Sequence, residues 1–280
     1  MNRNFRVARA CGVEAARDFM WREYAPFGWI LGAQLLFLLL ALNLGTTIGM
    51  ATVGGVIRLF VGDAPLHYPS FFLYLPNVTS WVELILYTLP GAVLIPLAIA
   101  RIQTPMDPEL QGAGFKARIR RAWPPTLVAG LLTLGLLYGW QWLFGKAVVP
   151  LIRASFPGLQ ASAAIWGLSL VGAYSLSALF LYVPVVALQR NMTFVGALRG
   201  GILEGVRLFK WTLLYLLLFA LPALPFLMAI QLGTAFMAER MRPEMIAVVI
   251  GIYSILISFA TYLTYAAAAR LHWASQVEET

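Results

Sequence analysis

Glu83 is the one carboxylate inside a stretch apolar enough to cross a bilayer. A carboxylate at such a place binds a proton or a cation, or else snorkels to the headgroups. The expected span begins near Thr79, so Glu83 lies one turn from its outer end and the snorkelling reading is favoured. The polar residues Gln34, Asn43, Gln141 and Gln231 fall in other apolar stretches. They are the remaining candidates for an intramembrane polar site, although each of them also suits a helix–helix hydrogen bond.

Other chemistry lacks its residues. Neither HExxH nor GxSxG occurs, and the aspartates (Asp18, Asp63, Asp107) are scattered outside the apolar stretches. His67 and His272 fall on opposite sides of the expected membrane, and the single Cys11 excludes an internal disulfide or a Cys-based metal site. Apart from Lys146 at the outer end of the third run, no lysine lies within a span to form a Schiff base. The reading is therefore a protein without catalysis, cofactor or metal.

The elements that would position these residues are membrane spans. Hydrophobic residues make up 60% of the 280, charged ones only 11%, and the mean hydropathy is +0.78. A soluble domain of this size needs far more polar surface. The charges cluster, leaving six long apolar runs: 26–50, 79–103, 124–148, 163–188, 211–235 and 245–269. Residues 51–78, apolar but broken by Gly, Pro and Arg58 and rich in aromatics, suit the outer headgroup region.

Before every second span lies a basic segment: 3–22, 109–122 and 192–210. In the third, Val195, Leu198, Ile202, Val206 and Phe209 share one helical face, with Arg199, Arg207 and Lys210 off it. That pattern predicts a helix lying on the membrane surface. Shifting the numbering by 190 brings Arg9, Glu14, Arg17, Phe19 and Trp21 onto Arg199, Glu204, Arg207, Phe209 and Trp211. The simplest description is one amphipathic helix and two spans, repeated over 3–103, 109–189 and 192–272. Fifteen of the twenty Lys and Arg fall on the side that holds these segments, which predicts cytoplasmic termini in a bacterial inner membrane. The net charge of +8 then suits anionic phospholipid rather than nucleic acid, with Arg118, Arg120, Arg121, Arg199, Arg207 and Lys210 as contact candidates. Plain topology signals explain the same residues equally well.

Glycine pairs Gly28–Gly32, Gly45–Gly49 and Gly135–Gly139, with Ala266–Ala269, offer smooth faces for helix contact, within the chain or with a partner. Pro90 and Pro96 interrupt the second span, and Pro222 and Pro225 the fifth, as in transporters whose broken helices form a site.

The run ALRGGILEGVRLFKWTLLYLLLF, with YAAAARLHW closing the last span, resembles a six-helix bacterial inner-membrane family. That family is typified by the membrane domain of some glycerophosphodiester phosphodiesterases, and the likeness is best over 192–275. It implies the six-helix layout but no phosphodiesterase activity, because the catalytic barrel is missing. The arm EAARDFMWREYAPFGWIL looks like the N-terminal interfacial helix of type-2 ABC exporter permeases, in which 109–122 would act as a coupling helix. The first functional reading is a membrane accessory, scaffold or assembly subunit that docks a membrane protein or a second copy of itself. The alternative is a permease for a lipidic or hydrophobic substrate, alone or with a separate ATPase.

Overall fold

The computed structural model describes residues 3–63, 66–67, 70–105, 114–231 and 244–277. Every regular element among them is helical: α1 (Arg3–Arg17), α2 (Trp21–Leu42), α3 (Thr47–Val61), α4 (Ser70–Thr88), α5 (Gly91–Gln103), α6 (Gly114–Ser155), α7 (Gly158–Phe180), α8 (Val183–Ala187), α9 (Phe194–Arg207), α10 (Phe209–Gln231) and α11 (Met245–Val277). Helices are what a chain this apolar must form, since only they satisfy their own backbone groups in lipid. Five helices are long and apolar enough to cross a membrane, and six spans result if α4 and α5 count as one. The chain is an all-helical, multi-pass membrane protein by these measures.

Several boundaries differ from the sequence expectation. The first long helix starts at Trp21 and stops at Leu42, and residues 47–61 form a helix of their own. The aromatic run assigned to the headgroups is instead the first half of α4, which begins at Ser70 and carries Pro76 inside it. Proline is tolerated there because membrane helices re-satisfy the freed carbonyl locally. The chain breaks at Leu89–Pro90 before α5 resumes. Of the basic segment 109–122, residues 109–113 lie outside the described set, and from Gly114 the chain runs straight into the third span. Pro124 and Pro125 thus stand ten residues inside α6 rather than at its start. The last helix continues eight residues past the expected end, to Val277.

Two compact units emerge, each drawn from separated stretches. Unit 1 comprises 1–19, 92–217 and 263–280; unit 2 comprises 20–91 and 218–262.

In unit 1 the short helix α8 is buried along its whole length. Asn191 then adopts φ of 58°, a left-handed conformation that Asn tolerates, and turns the chain into α9. Thr193 caps α9, its hydroxyl accepting from the Gly196 N–H at 3.1 Å. Helix α9 turns Ala197, Gly201, Glu204 and Gly205 inward, and Gly201 and Gly205 bring it against the backbone at Val183 and Leu179. That buried face is rotated by about a third of a turn from the apolar seam read in the sequence. Val195 remains 70% exposed and Val206 59%.

Helix α1 behaves alike. It buries Ala8, Cys11 and Ala15, and the Tyr215 hydroxyl donates to the Ala8 carbonyl at 2.5 Å. Under the 190-residue shift, Cys11 and Ala15 fall on Gly201 and Gly205. Both helices therefore bury the same face. Burial, and secondarily the negative charge of Glu14, pushes the Cys11 thiol up to about 11. Because the thiolate is the reactive form, alkylation at pH 8 should run about a hundredfold slower than at a free cysteine. Mass spectrometry of alkylated protein, before and after denaturation in SDS, checks this.

Unit 2 is built on α2, α4 and α11. Leu38 and Ala41 of α2, with Leu44 just beyond its end, meet Phe71, Phe72, Leu75 and Val78 of α4, and Ile246 and Ile250 of α11 belong to the same cluster. In lipid such contacts gain dispersion energy rather than hydrophobic transfer.

Candidate functional site

Four to five residues along each helix from that apolar cluster, polar side chains from all three helices converge. Gln34 lies thirteen residues into α2 and is only 3% exposed. Its amide nitrogen donates to Ser254 Oγ of α11 at 3.0 Å and reaches Glu83 Oε2 of α4 at 3.5 Å. Ser254 passes its own proton to the Ile250 carbonyl at 2.9 Å. Glu83 is thirteen residues into α4, or about 20 Å along the helix axis, and five residues from its end at Thr88. The extra length comes from the earlier start of α4.

One helical turn along α11 from Ser254 stands Ser258, whose Oγ is 3.1 Å from the Tyr24 hydroxyl. The Tyr87 hydroxyl, one turn from Glu83, lies beside Ser258 and Thr261. It is buried and completes no hydrogen bond. A further turn on, the Tyr262 hydroxyl donates to Glu23 Oε2 at 3.0 Å. Rings frame this edge: Tyr24 stacks on Phe259 at 4.7 Å, and Tyr262 meets both Tyr24 and Phe27 edge-on. Ser254, Ser258 and Tyr262 are spaced i, i+4, i+8, the interval that keeps them on one face.

Unit 1 holds a second polar group, gathered by α9 and the last turns of α11. Glu204 Oε1 accepts from His272 Nδ1 at 2.7 Å and from an Arg207 guanidinium nitrogen at 2.8 Å. With its proton on Nδ1, His272 offers Nε2 to the Gln189 amide at 2.8 Å. Arg207 also donates to Ser275 Oγ at 2.6 Å, and Ser275 closes on the His272 carbonyl. Burial pushes the Glu204 carboxyl up, but the hydrogen bonds from His272 and Arg207, with the Arg207 charge, outweigh it and hold the group below its ordinary value. The arrangement ties α9 to α11.

The residues singled out in the sequence take varied places. Gln34 and Glu83 come together. Asn43 donates to the Leu39 carbonyl of its own helix at 2.8 Å, and Gln141 and Gln231 face outward. Arg118 is 7% exposed, with its guanidinium 3.4 Å from the Leu188 carbonyl, so its head serves the inside of unit 1 rather than a lipid surface. Arg120, Arg121, Arg199 and Lys210 are exposed, and Arg207 is held by Glu204. Of the glycine pairs, Gly32, Gly45, Gly135 and Gly139 meet no neighbour among the described residues. Gly49 does lie against backbone, at the Asn43 carbonyl, and further close approaches belong to Gly201, Gly205 and Gly172, the last against the Trp140 ring. Ala266–Ala269 are all buried. Sequence reading missed the serines of α11 and the Glu204–His272 pair. The i, i+4 spacing of Ser254 and Ser258 in an apolar run was the available signal for the first.

No group of three His, Cys, Asp or Glu side chains that could hold a metal occurs among the described residues. What the elements and the polar cluster define is a multi-pass helical membrane protein with an ionisable side chain inside its helical layer. No family model, curated protein or solved structure matches the chain.

Proposed function

We propose that this protein is a permease whose working element is the Gln34–Glu83–Ser254 site of unit 2. One observation carries the reading: Glu83 sits deep in α4 and turns to an amide of α2. A carboxyl in hydrocarbon is stable only when neutral or paired. The neutral amide of Gln34 can orient it but cannot cancel a charge. The site is therefore a place where a proton or a cation arrives and leaves, which a purely structural contact does not need. Substrate movement would be coupled to that exchange. In proteoliposomes carrying an internal pH dye, an imposed gradient should drive proton flux through the wild type. Glu83→Gln, close in shape and unable to ionise, should reduce that flux by about a hundredfold or more. Equal flux through both proteins, or none above empty liposomes, would remove the permease reading.

A second reading, association with lipid and with other membrane proteins, is favoured by the outward seam of α9. Phe194, Val195, Leu203 and Val206 are exposed beside Arg199 and Lys210. In a bacterial inner membrane with both termini in the cytoplasm, each such cation near anionic phospholipid adds about 1 kcal/mol. A membrane-protein partner or a second copy would use the same face, with no catalysis and no cofactor. Replacing Arg199 and Lys210 with glutamine should lower co-purified anionic lipid, read by native mass spectrometry, while leaving the Glu83 flux intact. Unchanged lipid would count against this second reading.

A further inference from the structure

We infer that the hydroxyl seam of unit 2 is the route by which a proton reaches Glu83 from the Glu23 end of α2, an inference that rests on the permease reading for its purpose but not for its test. The seam is regular. Ser254, Ser258 and Tyr262 place a hydroxyl at each successive turn of α11. Opposite them stand Gln34, Tyr24 and Glu23 of α2, and Glu83 and Tyr87 of α4. From Ser254 to Tyr262 the seam covers about 12 Å of an otherwise apolar helix. Its far end is a second carboxyl, Glu23, in the first turn of α2.

The chemistry selects a proton over a metal cation. A hard cation asks for six or more oxygens, whereas this site presents one carboxyl, one serine oxygen and an amide that turns its N–H side inward. Hydroxyls serve protons better, because each can accept one and release another. Tyr87 is the telling residue. Its hydroxyl is buried with Glu83, Tyr24, Ser258 and Thr261 around it. Apolar packing alone would have been served by phenylalanine, with no polar atom to bury. As a donor that turns between Ser258 and Glu83 it supplies the missing step.

The transfer balances as a chain of O–H exchanges. Glu83 carboxylate gains the Tyr87 hydroxyl proton as Tyr87 takes one from Ser258. Ser258 is refilled from Tyr24, and Tyr24, through water, from the Tyr262–Glu23 pair. Glu23 recovers its proton from water at the helix end. No other bond changes, and the reverse sequence empties the site. The groups that reach Glu83 are Gln34 from α2 and Tyr87 from its own helix, with Ser254 of α11 behind Gln34 and Tyr24, Ser258 and Thr261 around the Tyr87 hydroxyl.

The test follows protonation of Glu83 itself, by time-resolved infrared difference spectroscopy of its carboxyl band after a pH jump in reconstituted protein. Glu83→Gln assigns the band. Tyr87→Phe and Ser258→Ala should each slow its appearance by at least about tenfold without changing its final size, and Ser258→Thr should restore the rate. Glu23→Gln should slow it as well. If Tyr87→Phe and Ser258→Ala both protonate Glu83 at the wild-type rate, the proton takes another path and the inference falls, whatever the flux assay gives. If they slow the band while no pH-driven flux exists, the seam stands and the permease reading falls. A band absent from wild type as well as from Glu83→Gln would overturn the inference outright. Unchanged melting temperatures of the variants in detergent exclude misfolding as the cause.

Discussion

Gly205→Ala should destabilise the protein by about 3 kcal/mol or more, the upper range for forcing extra volume into a packed contact. The new Cβ would run into the Leu179 carbonyl oxygen and carbon. Backbone atoms within α7 cannot swing aside as a side-chain end can, so α9 itself has to lift. Gly201→Ala should act in the same direction, since its Cβ would stand 2.5 Å from Val183 Cα. Gly139→Ala on α6 is the matched control. It has no neighbour within 4 Å, and alanine is the better helix former. A shift within about 0.5 kcal/mol is expected there. Thermal unfolding in detergent reads all three, and hydrogen exchange over 194–207 should report the loosening of α9 directly. Similar melting for Gly205→Ala and Gly139→Ala would contradict the close approach.

The second large effect centres on Glu204. Glu204→Ala should cost about 2–3 kcal/mol, because it strips a nearly buried His272 of its hydrogen-bond acceptor and Arg207 of its counter-charge. Arg207→Gln should cost less, since that side chain is 40% exposed and water replaces the ion pair. The same contact makes α9 sensitive to acid. Glu204 is held below its ordinary value of 4.5 in the folded protein, so its stabilisation is complete above that pH. It drains away as the pH falls through the folded value, where protonation removes the acceptor. Unfolding midpoints of wild type and Glu204→Ala, compared from neutral pH down to about pH 3, should converge at the acid end. A constant gap between the two curves would show that the contribution is not ionic.

Much of this architecture was legible in the residues. The apolar runs located every long helix, and the basic amphipathic pattern located α1 and α9. Ends were less legible. Phe71, Phe72 and Tyr74 are as much at home in a headgroup belt as in a helix, and the pattern cannot separate the two. Reading them as belt residues shortened α4 by nine residues. For α9, periodicity found the apolar seam, which stays outward, but not the glycine face that packs inward. Glycine carries no hydropathy signal, and close backbone approach favours it over the larger apolar residues. Arg118 reads like its basic neighbours, and only packing in three dimensions put it inside.

Composition and charge clustering by themselves determined that this chain is a multi-pass helical protein of the membrane. Lipid leaves a chain so poor in polar residues no other way to satisfy its backbone. Which polar side chains meet was decided by tertiary structure alone. Gln34, Glu83 and Ser254 are separated by 49 and 171 positions in the chain. No local pattern encodes their meeting, which depends on the register at which α2, α4 and α11 pack.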